Sequence, residues 1–138
     1  MNYKRITSSY IDSLWKLQKL YKAEIGEDTP TNEDSLRLIK AIEKETIIFY
    51  GAFDADKLIG CCSVTTGFST FNYMPCGVFE DFYILPEYRH KGIARMLVRF
   101  AYSESKVSSL TVCCANCDIE MYKSLGFSLK LGNTLAFE

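Results

Sequence analysis

Residues 83–97 combine a basic glycine-containing loop with the start of a helix, and they carry the clearest chemical signal in the sequence. Ile84 and Leu85 end an apolar run, Pro86 cannot continue a strand ladder, and helical spacing of apolar residues begins after Gly92. A loop in this position directs free backbone N–H groups and the positive end of a helix dipole at one point. The pattern therefore predicts a site for a ligand with several negative charges, such as a pyrophosphate.

Basic side chains in this loop strengthen that prediction. Arg89 and Lys91 add positive charge beside the backbone N–H groups, which favours a phosphorylated cofactor. His90, the only histidine of the chain, lies between them. We interpret its side chain as directed to solvent or to a phosphate, and we do not assign it a catalytic role.

The elements that must position the loop follow from apolar spacing and turn residues. A first helix follows a short strand, a second begins at the Thr31–Asp34 capping-box spacing, and a third begins after Gly92. The predicted order is β-α-α-β-β-β-α-β-α-β-β. Strands are predicted at 3–7, 46–53, 57–66, 78–85 and 109–114 and on either side of Gly132-Asn133, a loop at 67–76, and a last helix at 118–125.

The helix between the strands at 78–85 and 109–114 predicts a right-handed crossover, which makes those two strands parallel in a mainly antiparallel sheet. This is an α/β fold with a mixed sheet and helices on both faces. The loop lies at the carboxyl end of a strand, where open α/β sheets bind ligands. The buried stripe predicted for the crossover helix consists of Ile93, Met96, Leu97, Phe100 and Ala101.

Composition limits the class of protein. The 138 residues, 48% of them hydrophobic, predict a single domain over 1–138. A formal charge of −1 argues against a nucleic-acid partner, and the absence of a long apolar run or signal-peptide core predicts a cytoplasmic protein without a membrane partner. Six cysteines with one histidine are interpreted as reduced thiols, so no metal site is predicted from the Cys114–Cys117 spacing.

Two motifs resemble a known family, the GCN5-related N-acetyltransferases (GNAT). Arg89-His90-Lys91-Gly92-Ile93-Ala94 fits that family's Arg/Gln-x-x-Gly-x-Gly/Ala signature for the acetyl-CoA pyrophosphate, and residues 113–127 resemble its second motif through Asn116, Tyr122 and Gly126-Phe127. The likeness covers residues 57–138 well and the first fifty residues only through the order of elements. Residues 79–83, Phe-Glu-Asp-Phe-Tyr, are also similar to a strand of spermidine/spermine N-acetyltransferases.

The resemblance implies the GNAT fold, with acetyl-CoA as co-substrate. Asn116 lies six residues before Tyr122, whereas the family usually has an interval of seven. Either the start of the last helix is altered or Ala115 takes the equivalent place, and Asn116 is alternatively a helix cap. The cofactor-binding residues implied are Tyr83, Ile84, Leu85, Arg89, His90, Lys91, Gly92, Ile93, Ala94, Asn116 and Tyr122.

Direct acetyl transfer needs a base, an oxyanion donor and an acid. Glu80, acting directly or through a water, is the candidate base, and a main-chain N–H near Tyr83 or Ile84 is the candidate oxyanion donor. Tyr122 matches the family's acid, because its phenol is a donor at neutral pH. The alternatives are that Glu80 is a solvated strand residue and Tyr122 only a packed aromatic. A covalent acetyl-cysteine at residues 113–117 is disfavoured.

The molecule that accepts the acetyl group is the part of the function that the sequence determines least. The narrower likeness implies a small primary amine of the polyamine type, and an acidic rim of Glu24, Glu27 and Asp28 would attract it. The alternative acceptors are a protein amine or an antibiotic, and the alternative class is a non-catalytic acyl-CoA sensor. A homodimer that pairs or exchanges the two terminal strands is also an expectation.

Overall fold

The computed structural model describes all 138 residues, which form a five-stranded sheet and four α-helices. Short 3-10 turns at Ser8–Tyr10, Pro86–Tyr88 and Asn116–Asp118 connect some of these elements. The bounds are β1 Asn2–Ile6, α1 Ile11–Glu24, α2 Asn32–Glu43, β2 Ile48–Asp54, β3 Lys57–Ser69, β4 Met74–Ile84, α3 Ile93–Ser105, β5 Ser109–Val112 and α4 Ile119–Ser124. The predicted order of elements is thus confirmed as far as the last helix.

The start of α2 shows how local sequence fixes an element. The Asp34 backbone N–H donates to Thr31 Oγ1 at 3.2 Å, and the Thr31 backbone N–H donates to Asp34 Oδ2 at 2.8 Å. This reciprocal capping box satisfies two N–H groups that have no partner inside the helix. The prediction of a helix beginning at this spacing is confirmed.

The sheet has the strand order β1-β2-β3-β4-β5. All neighbours are antiparallel except β4 and β5, which are parallel. The crossover between β4 and β5 runs through α3, so the mixed sheet predicted from the sequence is confirmed. The first residues of α3 consequently lie just beyond the carboxyl end of β4, where a strand-loop-helix site belongs.

Helices cover both faces of the sheet. Leu14 and Leu17 of α1 and Ile42 of α2 pack on one face, which we call the α1/α2 face, whereas Ile93 and Leu97 of α3 pack on the other, the α3 face. None of the helices is both long and apolar enough to cross a membrane.

The predicted buried stripe of α3 is wrong at one residue. Ile93, Leu97 and Ala101 are buried as predicted, but Met96 is 49% exposed. Val98 is buried instead, because the stripe is centred one position further round the helix than the spacing suggested.

The predicted loop at 67–76 is wrong. β3 continues to Ser69 and β4 begins at Met74, so the two strands form a long hairpin with Phe68 opposite Pro75. Glycine, serine and proline in this stretch lower the intrinsic strand preference, but cross-strand pairing outweighs it. Pro75 is tolerated because the pairing of β4 with β5 begins only at Cys76.

The two predicted strands around Gly132-Asn133 are also absent, since residues 125–138 form no helix or strand. An alternating apolar pattern gives a strand only when a neighbouring strand accepts its hydrogen bonds, and β5 remains the edge of the sheet. Four apolar residues after Phe127 are therefore exposed: Leu129, Leu131, Leu135 and Phe137. Pairing of this segment with a second copy of the chain stays a prediction.

Two adjacent buried thiols are expected to lower the stability of the fold at alkaline pH. Cys61 and Cys62 are free and fully buried, and burial raises the pKa of each thiol above its ordinary value of 9.0. Unfolding above pH 9 therefore releases these protons, so their contribution to stability is complete below pH 9 and is lost as pH rises. We expect the free energy of unfolding to fall by about 1.4 kcal/mol per pH unit for each thiol.

Urea unfolding at pH 8 and pH 10 measures this effect. Cys62→Ala is expected to reduce the loss between the two pH values, whereas Cys117→Ala, which removes an exposed thiol, is the matched control and is expected to leave the loss unchanged. An identical pH dependence in the wild type and in Cys62→Ala would contradict the prediction.

Candidate functional site

The sheet has a gap where β4 extends beyond the end of β5. Their pairing ends at Phe79 opposite Val112, but β4 continues to Ile84. From Glu80 onward, the side of β4 that faced β5 has no strand partner. Backbone N–H and C=O groups along such an edge are available to an extended ligand.

A β-bulge lies at the mouth of the gap. Ser63 of β3 pairs with Glu80 and Cys61 pairs with Tyr83, so two residues of β4, Asp81 and Phe82, face one residue of β3. Asp81 has φ of 55°, a left-handed conformation that aspartate tolerates better than most residues. The bulge bends the strand and re-aims its side chains, which is a common device next to functional sites.

Two carboxylates share the α1/α2 face at this bulge. Glu80 follows Phe79, which packs on the α3 face, and it lies opposite Ser63, so alternation places Glu80 on the α1/α2 face. The Asp81 carboxylate accepts a 2.6 Å hydrogen bond from the hydroxyl of fully buried Ser63. The sequence assigned Glu80 alone, but the structure brings Asp81 beside it.

Tyr21 of α1 was not identified as a site residue from the sequence, where it belongs to an ordinary apolar stripe. Its ring meets the ring of Tyr83 edge-on, with centroids 6.4 Å apart. Burial raises the pKa of Tyr21, and the nearby charges of Asp81, Glu27 and Glu80 raise it further. Tyr21 therefore lies among the acidic groups of the bulge, a position that helical spacing alone could not reveal.

Tyr122 lies on the other side of the gap. Its ring packs against Phe82 at 6.2 Å and Phe127 at 5.9 Å between centroids, within an aromatic cluster that includes Phe79. Burial raises the pKa of Tyr122 to about 12, with smaller effects from groups that include Tyr21. Tyr122 is thus a packed aromatic whose phenol is protonated at neutral pH, and its role as the acid stays a prediction.

The glycine loop joins β4 to α3 as predicted. Gly92, at the N-cap of α3, has φ of 81°, and His90 has φ of 61°, so the chain makes a tight left-handed turn before the helix. No side chain caps this helix end, which leaves the first N–H groups of α3, beginning at Ile93 and Ala94, available to an anion. Lys91 is exposed beside them.

Arg89 of the same loop has its guanidinium directed elsewhere. Its Nη1 and Nη2 donate to the two carboxylate oxygens of Glu24 at 2.9 and 2.7 Å, and its Nε donates to the Ile84 carbonyl at 2.8 Å. The Arg89 side chain is therefore already bound to the last residue of α1. Its contact with the cofactor stays a prediction.

The second motif differs from expectation in detail. Asn116 is exposed and begins the 3-10 turn before α4, but its side chain caps neither this turn nor α4, so the helix-cap alternative is wrong. Cap positions are taken by Ala115 and Asp118, because the 3-10 turn displaces the start of α4. The altered helix start is one of the two explanations that the shortened interval suggested.

The remaining residues predicted to contact the cofactor lie at the end of β4 and directly after it. Tyr83 and Ile84 are buried, and Leu85 is half-buried after them. All six cysteines are free, and no three His, Cys, Asp or Glu side chains converge as metal ligands.

A comparison with family models identifies the class of protein. The acetyltransferase (GNAT) domain model matches residues 45–129, which include β4, the glycine loop and α4. The chain therefore belongs to the GNAT acetyltransferase family. No curated protein matches it in sequence.

Solved structures agree on the fold. A probable acetyltransferase is 21% identical with a TM-score of 0.86, covering 100% of this chain and 99% of that one. A predicted acetyltransferase with acetyl-CoA from Clostridium acetobutylicum is 16% identical with a TM-score of 0.81, covering 99% and 95%. An aminoglycoside acetyltransferase from an uncultured soil metagenomic sample, in complex with sisomicin, is 15% identical with a TM-score of 0.82, covering 99% and 94%. The predicted GNAT fold is thus confirmed; the spermidine/spermine likeness has no specific support.

Proposed function

We propose that this protein transfers an acetyl group from acetyl-CoA directly to the primary amine of a small molecule. The observation that carries the proposal is the gap beyond Phe79 and Val112, which has the glycine loop at one end. Tyr122 lies on its α3 side and the carboxylates of Glu80 and Asp81 lie on its α1/α2 side. Such a gap lets a thioester and an amine meet from opposite faces of the sheet.

Acetyl-CoA fits the loop and the free edge of β4. N–H groups at Lys91, Gly92, Ile93 and Ala94 would hold the pyrophosphate at the positive end of α3, with His90 and Lys91 beside it. We place the pantetheine arm along the side of β4 that has no strand partner, with contacts near Tyr83 and Ile84. At Leu85, a further proposed contact, the N–H already donates to the Ile59 carbonyl and the carbonyl already accepts from the Tyr88 N–H, so only the side chain is available to the arm. Asn116 remains a proposed contact further along this arm.

The chemistry then divides among three groups. Glu80 takes a proton from the ammonium, directly or through a water, so that the amine nitrogen can attack the thioester carbonyl carbon. A main-chain N–H near Tyr83 or Ile84 stabilises the resulting oxyanion. The attacking nitrogen then loses its second proton to solvent. As the C–S bond breaks, Tyr122 donates its proton to the departing thiolate, and solvent returns a proton to the phenolate. Burial raises the pKa of Tyr122 to about 12, so the phenol is protonated at neutral pH before each transfer.

A groove on the acceptor side supports a cationic small molecule. A cavity of about 700 Å³ between α1 and α2 is lined by Glu27, Asp28 and Asp34, with Lys22 as its only basic residue. Hydrogen bonding to Glu27 raises the pKa of Lys22, and the charge of Asp81 adds to this. This acidic lining favours an amine with more than one positive charge.

Rates with a panel of amines test the acceptor class. We expect acetyl-CoA-dependent thiol release with spermidine or with an aminoglycoside such as sisomicin to exceed that with a lysine-containing peptide. The aminoglycoside is included because a structural neighbour binds one. A higher rate with the peptide would make the acceptor a protein amine.

Gly92 provides a test of the cofactor loop. Alanine at φ of 81° is strained by about 1–2 kcal/mol. We therefore expect the substitution Gly92→Ala to change the conformation of the loop and to raise the Kd for acetyl-CoA roughly tenfold. Gly132→Ala is the matched control: a Cβ has nothing within 4 Å at either glycine, but only Gly92 has a positive φ. Isothermal titration calorimetry measures both, and equal Kd values for Gly92→Ala and the wild type would contradict binding at this loop.

A further inference from the structure

The guanidinium of Arg89 is held on three sides. It makes two parallel hydrogen bonds to the Glu24 carboxylate, at 2.9 and 2.7 Å, and a third to the Ile84 carbonyl at 2.8 Å. It also lies over the Tyr83 ring, 5.3 Å from the ring centroid. A planar guanidinium in a two-pronged carboxylate bond is oriented as well as charged, which a lysine could not reproduce.

These contacts join three elements that surround the gap. Glu24 is the last residue of α1, Ile84 is the last residue of β4, and Arg89 begins the turn that leads to Gly92 and α3. Glu24 and Arg89 are 65 residues apart in the chain, so the ion pair is a long-range contact. One side chain therefore fixes the cofactor loop relative to the helix that borders the acceptor side.

The same contacts limit what Arg89 can do for a phosphate. Three of its N–H groups are already used, and the Glu24 carboxylate compensates its charge. Hydrogen bonding to Glu24 raises the pKa of Arg89, so the guanidinium stays charged at neutral pH. Lys91, exposed at the loop, and the N–H groups of α3 remain for the anion.

We propose that Glu24 and Arg89 are a positioning pair, which holds the loop at 89–92 in the geometry that binds the cofactor phosphates, and that Arg89 is not itself a phosphate ligand. This inference rests on the proposed function, because it assumes that acetyl-CoA binds at the loop. It assigns a role to Glu24, which neither the loop motif nor its spacing would identify.

Calorimetric titration of acetyl-CoA into four proteins tests the proposal: the wild type, Glu24→Gln, Arg89→Gln and the double variant. We expect each single substitution to raise Kd by roughly five- to tenfold and the double variant to be no worse than either, because all three lose the same contact. Glu45→Gln is the matched control, since Glu45 pairs with Arg5 of β1 and not with Arg89. It is expected to leave Kd unchanged.

Kinetics and salt separate positioning from a general loss of structure. The KM for acetyl-CoA is expected to rise in Glu24→Gln with little change in kcat, and thermal unfolding checks that the variants are folded. Because Arg89 does not touch phosphate, Arg89→Gln should keep the wild-type dependence of Kd on salt concentration.

Two results would overturn the proposal while leaving acetyl-CoA binding intact. If Arg89→Gln weakens binding and flattens its salt dependence while Glu24→Gln does not weaken it, Arg89 is a direct phosphate ligand. If all variants bind like the wild type, the pair has no positioning role. Failure of the wild type to bind acetyl-CoA would overturn the proposed function as well.

Discussion

Tyr122→Phe is expected to lower kcat about a hundredfold or more, while the Kd for acetyl-CoA changes by less than a few-fold. The substitution removes only the hydroxyl, and the ring contacts with Phe82 and Phe127 are retained. The departing thiolate then lacks its proton donor, whereas cofactor binding depends on the loop and on β4. Steady-state rates and calorimetric titration measure the two quantities separately.

The pH dependence of kcat gives a second test of Tyr122. Burial raises the pKa of this phenol from the ordinary 10.0 to about 12, so the acid should stay protonated and kcat should not fall through loss of this proton near pH 10. Tyr102→Phe, which removes the hydroxyl of an exposed tyrosine on α3, is the matched control and is expected to be fully active. A Tyr122→Phe enzyme with wild-type kcat would rule out its role as the acid.

Glu80→Gln is expected to lower kcat/KM for the amine about a hundredfold at pH 7, because the acceptor is then an ammonium that no base deprotonates. The defect should shrink as pH rises toward the solution pKa of an alkylamine, about 10.4, where the free amine exists without help. A pH profile of kcat/KM for both proteins measures this convergence.

Two further variants locate the base. Glu87→Gln makes the same change of charge at an exposed residue after Pro86 and is expected to behave like the wild type. Asp81→Asn removes the neighbouring carboxylate and its bond from Ser63. If Asp81→Asn shows the pH-dependent defect and Glu80→Gln does not, the base is Asp81.

Local sequence was sufficient to predict the elements that carry the cofactor loop. The proline that stops β4, the glycine at the start of α3 and the capping box of α2 act over a few residues, so their effects can be read directly from spacing. The parallel pairing of β4 with β5 also followed, since a helical crossover leaves few alternatives.

Features that depend on distant partners could not be predicted in this way. The bulge at Asp81 exists because Ser63 and Cys61 pair with residues three positions apart in β4, and the Arg89 guanidinium is turned away from the loop by Glu24, 65 residues earlier. The position of Tyr21 beside the carboxylates follows from how α1 packs, not from its spacing. The prediction of two strands around Gly132-Asn133 is wrong because the alternating residues there have no neighbouring strand to pair with.

The central claim is that the protein moves an acetyl group from acetyl-CoA to a primary amine without a covalent enzyme intermediate. Mass spectrometry of a mixture of purified protein, acetyl-CoA and spermidine or sisomicin tests it most directly. The predicted result is an amine heavier by one acetyl group, formed in equal amount with free CoA, with no acetylated protein. Tight acetyl-CoA binding with no acetylated amine would contradict it and indicate a sensor module, and free CoA formed without acetylated amine would indicate only hydrolysis.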